Sequence, residues 1–246
     1  MRQPLIGILA GMGPRSTGPF LDIVVMECQR QYGARDDIDF PRMMICSQPA
    51  PFFEDRPPDH AALEAAIRDG LQHLERTGAD FLAIACNTAH IYYPQLVRSV
   101  GVPLLNMVEI TVAALPGSAR QVALLAARPT VEAGIYQASL QRRGIGLATL
   151  DWQGQVDHLL GATRTTRDSA HFTRIWHELL GQARNSGADT VLVACLDVSA
   201  ILIHARTDLR LVDASQCLAQ EIVREWLRRR APEQLGLEFA ATFVNG

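Results

Sequence analysis

One apolar motif occurs twice in this chain, and that repetition limits what the chain can fold into. GADFLAIACNTA begins at Gly78 and GADTVLVACLDVSA begins at Gly187. The leading glycines and the embedded cysteines, Cys86 and Cys195, are each 109 positions apart. Each copy follows a stretch of helical period, HAALEAAIRDGLQHLERTG in one case and HFTRIWHELLGQARNSG in the other. Each is followed by a second short apolar run, VPLLNMVE or LRLVDASQ. The openings LIGILAGMGPRSTG and QVALLAARPTVEAG correspond as well. A repeat this long duplicates a whole α/β unit, so two similar halves are expected.

The pattern between the copies fixes the class. Short apolar runs alternate with helical segments, which is the signature of parallel sheets covered on both faces. Strands are expected at Leu5–Leu9, Met43–Ser47, Phe81–Ala85, Pro103–Leu105, Val122–Ala126, Leu147–Leu150, Thr190–Ala194 and Leu209–Val212. The expected architecture is α/β, with two pseudo-symmetric domains, mainly parallel sheets and a site in the cleft between them. The first half takes residues 1–112, with 209–246 packed back on it, and the second takes 113–208.

Composition excludes several function classes. All 23 basic residues are arginine. Without lysine the chain can form neither the Schiff base of a pyridoxal-phosphate enzyme nor a P-loop. GILAGMG lacks the G-x-G-x-x-G spacing of a dinucleotide site. The net charge is -3 and the one basic run, Arg228–Arg230, suits a helix C-terminus, so nucleic acid is not an expected partner. No apolar run has the roughly 18 residues of a membrane span, and the glycine-broken N-terminus reads as a strand and turn rather than a signal peptide. Five cysteines at wide spacing form neither a disulfide framework nor a zinc pattern, so a reducing cytoplasm is the expected setting.

Strand ends then carry the chemistry. In open α/β sheets ligands lie beyond the carboxyl ends of the strands, where Cys86 and Cys195 both fall. Two thiols on opposite sides of a planar carbanion would invert a stereocentre, one removing a proton and the other returning one. A helix N-terminus tunes a thiol, and Asn87 or Thr88 in CNTAH is a suitable N-cap. A cysteine in an apolar strand is ordinarily a small buried residue. The matched positions set Cys86 and Cys195 apart from Cys28, Cys46 and Cys217, which keep that plain role. His90 is read as a residue of the helix's first turn rather than of the pocket.

These segments resemble the aspartate/glutamate racemase family, in its cofactor-independent aspartate racemase branch. The resemblance rests on IGILAGMGPRST, GADFLAIACNTAH, VPLLNMVEIT and ARPTVEAGIYQASLQRRG, and spans nearly the whole chain. It implies racemisation by two bases without cofactor or metal, on aspartate first and glutamate second, and commonly a homodimer. Cys86 and Cys195 match the catalytic pair. Asn87 and Thr88 match residues that hold the substrate α-carboxylate, and Met12 and Gly13 match a loop bordering the substrate. Arg56 in FFEDRPP matches an arginine used on a substrate carboxylate.

Three positions depart from the family pattern. The second motif, Gly-Cys-Thr-Glu in the family, is Ala194-Cys195-Leu196-Asp197 here, losing a hydroxyl and keeping a shortened carboxylate at Asp197. Ala127 loses another hydroxyl. A family lysine has only Arg164 or Arg167 near its place. The altered motif leaves two other readings open: an isomerase or decarboxylase of a related dicarboxylate, and a non-catalytic binder of small carboxylates.

Overall fold

The structure is a computed structural model describing residues 3–52, 58–165, 169–202 and 207–230. Two parallel sheets form its frame. In the first, β1 (Leu5–Ala10) lies between β2 (Arg42–Ser47) and β3 (Phe81–Ile84). In the second the order is β5 (Gly146–Leu147), β4 (Gln121–Ala126), β6 (Thr190–Ala194) and β7 (Arg210–Asp213). The same order underlies both. Leu104 forms a single parallel bridge to Leu82, at the place β7 takes beside β6.

Two expected strands are therefore shorter than the apolar pattern suggests. Pro103 has no N–H to donate, and Asn106 already caps a helix, so the pairing is limited to the single bridge centred on Leu104. Along the β5 segment the ladder stops at Leu147, while Leu150 packs against the core of the second half.

Ten α-helices among the described residues cover these sheets. In the first half they are α1 (Thr17–Tyr32), α2 (His60–Arg76), α3 (Tyr93–Leu96) and α4 (Met107–Ala113). The second half contributes α5 (Arg128–Glu132), α6 (Ile135–Arg142), α7 (Gln153–Thr165), α8 (Ser169–Asn185) and α9 (Leu196–Leu202), and α10 (Ala214–Arg230) ends the described chain. Asp59 caps α2 by accepting from Ala62 N at 3.0 Å. Gly33 ends α1 in the left-handed region, at φ 73°. No described helix is long and apolar enough to cross a membrane.

Strand alternation sorts the core. Ile6, Ile8, Phe81 and Ala83 face a cluster with α1 residues, whereas Leu9, Leu82, Ile84 and Cys86 face α2. In the second sheet Leu125, Val191 and Val193 face α7 and α8, and Leu124, Leu192 and Ala194 face α6. Gly7 permits the closest approach, since a Cβ there would sit 2.5 Å from Leu82 Cδ2.

The helices that follow the two fourth-strand positions are exchanged. Val108 and Val112 of α4 belong to the core of the second half. Leu218, Ile222 and Trp226 of α10 belong to the core of the first. Of the segment expected to return to the first half, the helix does so, but the strand β7 pairs with β6 in the second sheet. Residues 231–246 lie outside the described chain.

Candidate active site

Each cysteine follows a buried strand and opens the next helical turn. Cys86 lies two residues beyond Ile84, the end of β3, and Cys195 directly follows Ala194, the end of β6. Cys86 is buried and Cys195 partly so. The backbone N–H groups of Thr88 and Ala89 point at the Cys86 sulfur, and those of Asp197 and Val198 at the Cys195 sulfur. Each sulfur thus stands two and three residues before its donors, as a capping acceptor would, whereas Asn87, the N-cap of the first turn, makes no capping hydrogen bond with its side chain. Burial nevertheless dominates, pushing Cys86 up to about 11 and Cys195 up to about 12. The Asp197 carboxylate raises both further, and Cys86 itself raises Cys195.

Asn87 and Thr88 are held from the opposite half. The Tyr136 hydroxyl, on α6, donates to Asn87 Oδ1 at 2.5 Å. Thr130 Oγ1, on α5, lies 2.9 Å from Thr88 Oγ1. Asn87 is only 3% exposed, and its Nδ2 is buried without a hydrogen-bond partner. A buried amide donor left unpaired costs about 1–3 kcal/mol. Neither Thr130 nor Tyr136 stood out in the sequence. Each is more than 40 positions from its partner, so no local spacing links the pairs.

His90 belongs to the scaffold. Its Nε2 accepts from Met107 N at 3.1 Å, which leaves Nδ1 as donor to the Cys86 carbonyl at 2.8 Å. Its ring stacks on Tyr93, and burial depresses its pKa to about 4, so it is neutral at physiological pH. In the second half Ser199, four residues after Cys195 as His90 is after Cys86, donates to Asp213 Oδ1 at 2.8 Å and meets the Cys195 carbonyl at 3.0 Å. The two cysteine turns are thus anchored at equivalent points by different chemistry.

Asp197 crosses to the first loop. A Cβ on Gly13 would lie 3.2 Å from Asp197 Oδ1, so a side chain there would crowd the carboxylate. Met12 packs against the cluster containing Cys86. Leu196, 6% exposed, packs instead into the first half's core, which explains an apolar residue at that position. Ala127 is the N-cap of α5 without a side-chain acceptor. Pro129 has no N–H, and the Thr130 N–H already bonds the Ala127 carbonyl at 2.9 Å, so a hydroxyl there has no free donor of these two to cap. Arg56 and Arg167 lie outside the described residues, as does the side chain of Arg164.

Cys28 and Cys217 are buried among apolar side chains, and Cys46 packs partly against the α2 cluster. Two cavities, of about 350 Å³ beside His158 and His171 and about 230 Å³ beside Trp152, are lined by neither Cys86 nor Cys195.

Comparison with known proteins gives a consistent picture. Residues 9–222 match the family model described as Asp/Glu/Hydantoin racemase. The chain is 42% identical over 224 residues to the broad specificity amino-acid racemase RacX of Bacillus subtilis (strain 168), covering 91% of this chain and 98% of that one. The structure resembles Picrophilus torridus aspartate racemase with a TM-score of 0.77 and 26% identity, over 91% of this chain and 94% of that one. The glutamate racemase RacE1 of Bacillus anthracis shares the fold alone, with a TM-score of 0.64 at 15% identity over 93% and 84% of the two chains.

Proposed function

This chain belongs to the Asp/Glu/Hydantoin racemase family and is an isomerase acting on amino acids, and from that premise we propose a cofactor-independent, two-cysteine racemase of a small free amino acid. The observation that carries the reading is the matched placement of Cys86 and Cys195, each on the amides of a following helical turn and each sensing Asp197.

In the proposed cycle one sulfur enters as thiolate and the other as thiol. The thiolate takes the α-proton, so the C–H bond breaks and an S–H bond forms. The released electron pair spreads into the substrate carboxylate. The opposite thiol then gives its proton to the other face and becomes the thiolate, so the two roles are exchanged. The Asn87 amide, with Thr88, receives the carboxylate, whose negative charge grows as the proton leaves. Asp197 offers a counter-charge to the α-ammonium, and Met12 and Gly13 close the pocket from the first loop.

Aspartate is the first substrate to test and glutamate the second. A side-chain carboxylate needs a cation, a role we give to Arg56 and to Arg164 or Arg167. The name of the Bacillus subtilis relative supports a wider range, so neutral amino acids belong in the same panel. Five unpaired cysteines suit the proposed reducing, cytoplasmic setting. The proposed homodimer rests on the family resemblance.

The test is exchange of the α-proton in D2O, followed by NMR together with chiral chromatography. Inversion with deuterium incorporation is expected for at least one L- or D-amino acid. Cys86→Ser and Cys195→Ser should each lower racemisation by at least about 10³-fold, the order expected when a general acid or base is lost. Either variant should still exchange the α-proton of one enantiomer, since one base remains. Unchanged α-proton signals across the whole panel would sink the proposal.

A further inference from the structure

Asn87 can serve a carboxylate only with its amide turned the right way, and Asn87 itself does not decide this. An amide side chain has an acceptor end and a donor end of nearly the same shape. In this buried position one partner sets the choice. The Tyr136 hydroxyl donates to Oδ1 at 2.5 Å, which turns Nδ2 to the side where no protein acceptor meets it. Tyr136 is itself fully buried, packed in the second half's core with Val112, Leu124 and Leu192, so its phenol is held rigidly. The neighbouring Thr88 is gripped in the same way by Thr130. Both grips come from the second half and act on a turn of the first.

We infer that Tyr136 is a positioning residue: its hydroxyl fixes the Asn87 amide with the donor end toward the substrate carboxylate, and with Thr130 it makes that subsite depend on the apposition of the two halves. The inference rests on the racemase reading above and adds a specific role for a residue that does not touch substrate.

The experiment uses the full chain in four forms: unmodified, Tyr136→Phe, Asn87→Ala and the double variant. Removing the hydroxyl frees the amide to rotate. KM should rise about tenfold and kcat should fall by a similar factor, because the weakened contact holds the carboxylate in the ground state and more tightly as its charge grows, while both thiols stay in place. Asn87→Ala should raise KM at least as much, and adding Tyr136→Phe to it should change nothing further. Thr130→Val, which removes the grip on Thr88, provides a second variant with the same expected KM pattern should Tyr136→Phe fold poorly. Near-UV circular dichroism checks that each variant is folded. An unmoved KM in folded Tyr136→Phe and Thr130→Val overturns the inference alone, as do effects of Tyr136→Phe and Asn87→Ala that multiply. No turnover by the unmodified protein overturns the racemase reading and this inference with it.

Discussion

Asp197 exerts a double influence at the residue scale. Its carboxylate raises both thiols, which opposes the thiolate of the proposed cycle, in which the same carboxylate meets the substrate ammonium. Replacing it by asparagine separates the two effects. With the negative charge gone, both thiols should ionise at lower pH, though burial still holds them up. At pH 8 the thiolate fraction should therefore grow, and iodoacetamide should alkylate Cys86 and Cys195 roughly three- to tenfold faster, as loss of one nearby charge at intermediate dielectric implies. The alkaline rise of kcat/KM should move to lower pH, while KM rises because the ammonium has lost its partner. Alkylation at an unchanged rate would show that Asp197 does not control the thiols. His90 should contribute no limb to this profile between pH 6 and 9, since its depressed pKa of about 4 leaves it neutral throughout.

Elements explain why single letters of the sequence misled or informed. Leu196 is the first residue of α9, and the sequence presents it as a lost hydroxyl beside a catalytic position. In the fold that residue is an apolar peg reaching into the core of the other half. Leu196→Thr should therefore destabilise the protein by about 2 kcal/mol, from lost apolar burial and a buried hydroxyl, in urea unfolding. A change below about 0.5 kcal/mol would place the side chain outside that core. Most strands were legible because each is a short apolar run bounded by turn residues. The run at Pro103–Leu105 was legible as extended chain but not as a bridge of one residue, because a missing N–H and an adjacent helix cap are set against its apolar pattern.

At the scale of the whole molecule, the exchange of α4 and α10 ties the halves together. Trp226 lies in the first half's core although it belongs to the C-terminal helix, whereas Trp152 and Trp176 lie in the second half's core. Each core thus needs a helix from the other side of the repeat, and unfolding should be one cooperative event. With Trp226→Phe reporting the second half and Trp152→Phe/Trp176→Phe reporting the first, fluorescence melts in urea should share one midpoint. Separated midpoints would show two independent units. The sequence by itself determined the parallel α/β class, the equivalent places of Cys86 and Cys195 in the repeat and the exclusion of lysine-dependent chemistry, because strand alternation, repeat length and residue type are properties of the chain read in order. Only the tertiary structure decided that Tyr136 and Thr130 hold Asn87 and Thr88, that Asp197 meets Gly13 and that the helices change places. Those contacts join residues tens to well over a hundred positions apart, and they depend on how the chain crosses between the two sheets, which no local period encodes.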